Sequence, residues 1–391
     1  MHSRRAFLQS VAAIPILAGL PRRLRGAEET SNAPLERVTF EAQTPSGRSL
    51  GERSIDGQVV QDLGDGSFLL LDRGGRIWPV TPDRLVERET SDDAFVPYSQ
   101  EEMAAALREE FGDGFLMHKT RHYILCTEAP REYAQWAGSL FERLMAAFET
   151  LWDRKPLNIS DPEFPLCAVI LKDKQRYQEY AVKESGSGVL GALGYYSTLT
   201  NRMVMYDLTG GQTPRNAIEL NQRLAHQIAN VSTIVHEATH QVAFNTKVHT
   251  RLAPNPFWLV EGLAMFFETP DLKNPNGWRT VGALNTSRLR DYKEYLRLRR
   301  KPGSFREMIG SDDKFHEEET ALDSYAQAWA LSYYLIWARR EDYTKYLAMT
   351  SHKEMLAQET AEVRIAEFEE QFGKTAEVER SMVNYLRRKI R

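Results

Sequence analysis

The chain has 391 residues, enough for a large core and two or three domains, and its 42% hydrophobic and 27% charged composition is that of an ordinary soluble globular protein. That composition argues against a disordered chain and against a polytopic membrane protein. The formal net charge is −4, but residues 1–27 hold five arginines and no acid, which leaves −9 for residues 28–391. A body of that sign is not expected to bind nucleic acid non-specifically.

At the N-terminus, Arg4-Arg5 precede Phe7-Leu8 and an apolar run over 11–20 that is too short for a transmembrane span. Twin arginines in this setting resemble the bacterial twin-arginine export signal, with Arg22, Arg23 and Arg25 disfavouring the general secretion route. The resemblance implies a signal peptide over 1–27, cleavage near Ala27, a periplasmic or extracellular address, and no stable membrane span afterwards. The alternative is a basic tail that stays on.

Residues 28–34 read as a polar linker. Short β patterns follow at 37–42, 58–63, 67–72 and 77–80, separated by Gly64-Asp65-Gly66 and Gly74-Gly75, which supply the positive-φ positions of tight turns. This stretch, 35–90, resembles a small SH3-like β-barrel, with a boundary over 91–97. Ser99 and Glu102 form a capping box that opens a helix. Strands are expected at 115–117, 122–126 and 166–171, with a helix over 132–152 between the last two and a short helix over 174–182. A glycine-rich loop at 186–194 leads into strands at 193–197 and 202–207. From there the chain reads as helical: 213–245 for most of its length, then 257–268, 285–300, 320–338, 341–350, 353–371 and 375–389. Cys126 and Cys167 sit in apolar strand-like runs and read as small buried hydrophobes rather than a disulfide.

The chemistry is carried by His236-Glu237-Ala238-Thr239-His240. On a helix, residues four apart share a face, so His236 and His240 can aim two imidazole nitrogens at one ion while Glu237 flanks it. This is the H-E-x-x-H pattern of two zinc ligands and a carboxylate that activates water. A catalytic zinc needs a third protein ligand and one open position. The metzincin extension requires Gly and His three and six positions after the second His, where this chain has Ala243 and Thr246, so that class is excluded. Glu261, in the apolar run 257–267, lies 21 residues past His240. A carboxylate buried there needs a cation or several donors, and a metal held by two imidazoles is such a partner. A salt bridge to an arginine is the alternative, and His249 is a second candidate for the third ligand.

HEATH followed by PFWLVEGLA resembles the gluzincin group of zinc metallopeptidases, and is most similar to a family of exported bacterial proteins of unassigned function with the same core. The resemblance covers about residues 115–340. It implies His236, His240 and Glu261 as ligands of one zinc per chain and Glu237 as general base. It also implies an α+β zincin-like domain whose edge strand, 202–207, takes an extended peptide by β-addition. Thermolysin-like members carry an acid four residues after the Glu ligand; here that position is Met265, which leaves the group that orients the histidines unidentified. Tyr325 resembles the tyrosine that gluzincins contribute as oxyanion donor, though it can equally be core. Tyr195, Tyr196 and His316 are further candidates for that role. His118 and His122, lacking an acidic partner, read as surface residues, and His226 is too far along the motif helix to reach the metal.

The expected architecture is therefore α+β: a signal over 1–27, the β module over 35–90, an N-terminal zincin subdomain over 98–270 and a helical C-terminal subdomain over 271–391. The expected activity is that of an exported zinc-dependent peptidase acting on peptides or proteins. The competing expectation is a non-catalytic, zinc-stabilised binding protein of the cell envelope.

Overall fold

The computed structural model describes residues 34–210, 212–214, 216–274 and 277–389, so the export-signal reading of 1–27 lies outside the described residues. The chain forms two compact units, one of Met1–Glu142 with Pro162–His226, the other of Arg143–Asp161 with Gln227–Arg391. The class is α+β, with an antiparallel sheet and a mixed sheet followed by a mostly helical C-terminal half.

The first unit opens with strands β1 (Pro34–Gln43), β2 (Ser49–Asp62), β3 (Phe68–Asp72), β4 (Ile77–Val80) and β5 (Leu85–Ala94), ordered β4-β3-β2-β1-β5 and antiparallel throughout. Alternation puts Val38, Phe40 and Ala42 of β1 on one face, where they meet Phe68, Leu70, Trp78 and Val80. β5 is an element the sequence did not announce. Its residues Val86–Thr90 are exposed on both faces, so no period-2 pattern marks it, and it is held by its ladder to β1. It runs into the boundary expected at 91–97 and ends at Ala94.

The second sheet holds β6 (Leu116–Lys119), β7 (Tyr123–Thr127), β8 (Leu166–Leu171), β9 (Gly194–Tyr196) and β10 (Arg202–Tyr206), ordered β6-β7-β8-β10-β9. β7, β8 and β10 are parallel, and their connections run through helices α2 (Arg131–Trp152) and α3 (Lys174–Ser185). Helix α1 (Gln100–Phe111) starts at the expected capping box, with Ser99 and Glu102 exchanging both bonds. α1 and α3 contribute Met103, Leu107, Tyr177 and Ala181 to a core against Ile124, Cys126, Cys167, Val169 and Val204. Cys126 faces Val169 and Cys167 faces Ile124 across the β7–β8 ladder, both thiols are buried, and no disulfide joins them.

Two expectations are corrected in this unit. Strand 202–207 was expected at the sheet edge, but β10 is internal, bonded to β8 on one side and to β9 on the other, so three-residue β9 is the edge. His118 and His122 are not fully exposed, and His122 has an acidic partner. They fall on opposite sides of the β6–β7 turn, both are half-buried, and His122 Nδ1 lies 2.7 Å from Glu142 Oε2.

The helix expected over 213–245 is two helices, α4 (Ala217–Ala225) and α5 (Ile228–Asn245). The break is at His226, whose ring bonds the Gln222 carbonyl while its backbone N–H turns to Leu224. His226 is thus not on the motif helix at all. The second unit continues with α6 (Phe257–Phe267), α7 (Thr286–Leu298), α8 (Ser304–Gly310), α9 (Asp313–His316), α10 (Ala321–Ala338), α11 (Arg340–Ser351), α12 (Ala361–Phe372) and α13 (Thr375–Lys389). α12 starts later than the expected 353, because Leu356 takes a positive φ and donates its N–H to Leu252, and the helix restarts where Thr360 caps Val363. Every residue of α6 is buried, as befits a helix apolar all round that packs against both α5 and α10. Gly262 permits the α10 contact: a Cβ there would lie 2.1 Å from Ser332 Oγ and 2.7 Å from the Ala328 carbonyl. Among the described residues, no helix is long and apolar enough to cross a membrane.

Candidate metal centre

α5 and α6 create the site between them. The intervening chain turns through Lys247 and Leu252, both at positive φ, with Val248 and His249 donating back to the Ala243 carbonyl. Asp312 then accepts the N–H of Phe257 and closes the start of α6. Trp258 stacks on Tyr346 at 5.7 Å and fixes the roll of α6, which points Glu261 back at α5.

His236, His240 and Glu261 converge, all fully or almost fully buried. The two Nε2 atoms are 3.0 Å apart, His236 Nε2 is 3.1 Å from Glu261 Oε2, and His240 Nε2 is 3.4 Å from Glu261 Oε1. Four ligands each 2.0–2.1 Å from a tetrahedral zinc stand about 3.3 Å apart, so these spacings fit one face of that tetrahedron. Two nitrogens and a carboxylate oxygen are also the donor types zinc takes.

The polar accounting points the same way. Neither carboxylate oxygen of Glu261 receives a hydrogen bond, although both are buried. Burial pushes this carboxyl up, yet the positive character of His240 and His236 beside it holds it well below the usual range. Burial alone would depress His236, and the Glu261 and Glu268 carboxylates instead push it up to about 10. Each group asks for positive charge at the same point, and a metal ion supplies it. The residues therefore fit a zinc ion.

The group that orients His236, unidentified in the sequence, is Glu268. Its Oε1 lies 2.9 Å from His236 Nδ1. An ionised carboxylate can only accept, so Nδ1 carries a proton, and with a metal bound Nε2 would give up its own and present its lone pair beside Glu261 and His240. Glu268 is in turn held by Arg288, with Nε 2.8 Å from Oε2 and Nη2 2.6 Å from Oε1, and by Asn285 Nδ2 at 3.2 Å. The arginine in this region thus serves Glu268, and Glu261 keeps only the histidines. The signal for Glu268 was an acid ending an apolar helix seven residues, two turns, after Glu261. Nothing local pointed to Arg288 or Asn285.

Glu237 is 1% exposed. Tyr325, on α10, is 2% exposed and packs edge-on against Phe315 at 5.3 Å and Phe257 at 6.3 Å. Burial first, and then the Glu261 and Glu237 charges, push its hydroxyl pKa well above the ordinary value, so Tyr325 stands within electrostatic reach of both acids. His249 does not join the three converging donors; it is buried against Phe244, and neither ring nitrogen has a hydrogen-bond partner. His316 is exposed on α9, with its ring 5.1 Å from Phe257. Tyr195 and Tyr196 belong to β9 in the first unit, where Tyr196 donates its hydroxyl to Asn201 Oδ1 at 2.7 Å.

Residues 230–357 match a family model described as a protein of unknown function (DUF1570). The matched span contains His236, Glu237, His240, Glu261, Glu268, Arg288 and Tyr325. No curated protein matches the chain.

Proposed function

We propose that the chain is a zinc-dependent hydrolase, a gluzincin-like peptidase cleaving peptide bonds, and that His236, His240 and Glu261 hold its single zinc. The observation that carries the reading is the buried His-His-Glu group with its two carboxylate oxygens unbonded, next to an acid, Glu237, that three-ligand metal holding does not itself require. Zinc bound there supplies Lewis acidity, bringing the pKa of water toward about 7 and polarising a carbonyl. Glu237 accepts the proton of the attacking water at its carboxylate and delivers it to the leaving amine. Tyr325 donates its phenolic proton in a hydrogen bond to the developing oxyanion, a role its raised pKa suits because the hydroxyl stays protonated. Glu268 and Arg288 keep His236 in the required tautomer.

This reading carries the finer assignments with it: a zincin-like domain, an SH3-like character for the β1–β5 module, the domain limits 35–90, 98–270 and 271–391, and export through the twin-arginine-type signal of 1–27 to peptide or protein substrates. The test is metal analysis and turnover. Wild type should hold one zinc, Glu261→Ala should lose it, and Glu237→Gln should keep the metal while losing peptide hydrolysis. Full zinc occupancy in Glu261→Ala sinks the ligand assignment.

One observation favours a second reading. Glu237 at 1% and Tyr325 at 2% exposure are poorly placed to meet a substrate, as a zinc-stabilised binding protein of the cell envelope would have them. That reading requires zinc-loaded wild type to show no turnover against a broad peptide library.

A further inference from the structure

A second feature lies away from the metal, on α7 and α13. Residues 286–301 carry a net +5 and residues 375–389 a net +2, whereas the rest of the −9 body amounts to −16. Part of this excess is paired internally, Arg288 with Glu268, Arg299 with Asp323 and Glu294, and Arg300 with Glu379, but Lys293, Arg297, Arg387 and Arg388 are exposed and have no acidic partner among the described residues. Holding so many like charges together is electrostatically unfavourable unless something outside the chain compensates them.

Between the two helices runs a groove whose section of about 360 Å³ has Tyr292, Leu296, Val383 and Leu386 as its floor and the cations Lys293, Arg297 and Arg387 around it. Leu296 and Val383 are the partly exposed members of that floor. A linear polyanion would satisfy the cations but has no use for the apolar floor. An anionic lipid satisfies both, with its phosphate on the guanidinium and ammonium groups and its glycerol and upper acyl carbons on the leucines.

We propose that the α7–α13 face docks the protein on a membrane surface of anionic phospholipid. The net −16 carried by the rest of residues 28–391 gives the membrane no other attraction of this kind, so binding depends on this face. The interaction is peripheral, and it does not depend on the metal or on catalysis.

The experiment uses the full chain, vesicles of phosphatidylglycerol mixed with phosphatidylcholine, and vesicles of phosphatidylcholine alone, read by co-sedimentation at about 0.1 M salt, where charges within roughly 10 Å still act. Wild type should bind the mixed vesicles, release as salt rises, and ignore phosphatidylcholine. The double variant Arg297→Glu/Arg387→Glu changes only exposed side chains, and an unchanged thermal melt will show that it is folded; it should bind at least tenfold more weakly. Leu296→Ser should weaken vesicle binding but leave binding to dextran sulfate, a polyanion without an apolar part, unaltered. Absence of wild-type binding, or equal binding to both vesicle types, overturns the proposal. Survival of binding in the double variant does so too, as would dextran sulfate binding wild type more tightly than the mixed vesicles do. A salt-sensitive dimer that buries this face and abolishes vesicle binding would assign it to a second copy of the chain instead.

Discussion

Glu268→Gln separates the metal reading from a purely structural account of the same residues. The substituted amide keeps the volume and its oxygen can still accept hydrogen bonds, but it removes the charge that fixes the proton on His236 Nδ1 and that faces Arg288 at 2.6 and 2.8 Å. Its NH2 must then confront either His236 Nδ1 with Arg288 Nη2, or Arg288 Nε with Asn285 Nδ2, so two of the four contacts are lost. Removal of the carboxylate behind a ligating histidine costs about 10–100-fold in metal affinity, which is about 1.4–2.7 kcal/mol. The fold is weakened separately, because Arg288, with only 15% of its side chain exposed, loses its counter-ion; breaking such a pair costs about 3–5 kcal/mol when nothing replaces it, and less with an amide in place. The assay is zinc competition against a chromophoric chelator, run beside denaturant unfolding of the metal-free protein. A folded Glu268→Gln that binds zinc within twofold of wild type would refute the orienting role and leave Glu268 a structural partner of Arg288 alone.

Gly262→Ala should destabilise by about 1–3 kcal/mol in denaturant unfolding, since its Cβ would overlap Ser332 Oγ and the Ala328 carbonyl and push α6 from α10; zinc affinity should fall with it, because Glu261 is the preceding residue. A midpoint equal to wild type would show that the two helices separate without cost. His249 gives a pH signature. Burial first, then the nearby His240, lower its pKa to about 3, so below the unfolded value of about 6.5 the unfolded chain binds the extra proton and stability falls as pH falls. Between pH 7.5 and 5 that loss is about 2 kcal/mol. His249→Phe should remove it and flatten the acid side of the profile; a variant as acid-sensitive as wild type would place the titrating group elsewhere.

The parts of this molecule that were legible in the sequence are those set by short spacings. His236 and His240 share a face because they are four apart on a helix, and Glu261 needed a cation or several donors because the run around it is apolar throughout. The capping box at Ser99 and the βαβ alternation from β7 to β10 were equally local. What was not legible depends on the order in which distant segments meet. β10 was placed at the edge by the resemblance alone, yet the three-residue β9 adds beyond it, and no local pattern fixes strand order. β5 shows no alternation because it is exposed on both faces, and only its pairing with β1 makes it a strand. Glu268 lies just past the end of α6, and its role appears only when Arg288, 20 residues on, folds over it.

The same long-range contact bears on which ion the centre holds. Counted as ionised, Glu237, Glu261 and Glu268 bring three negative charges into a buried region of α5 and α6, and Arg288 returns one. Protonating both imidazoles would neutralise the remainder, but would place two cationic rings with nitrogens 3.0 Å apart and remove both lone pairs from the point on which they converge. Protonating the acids instead would take the charge off Glu268, whose carboxyl Arg288 holds below the usual range against the effect of burial. A single dication balances the charge with both histidines neutral, and it explains why Glu261 accepts no hydrogen bond. A monovalent ion leaves one negative charge buried, and magnesium or calcium, which take oxygen ligands, would leave two nitrogens poorly used. Charge and donor type thus suit a divalent metal of the zinc kind, on grounds independent of the sequence motif that first suggested it.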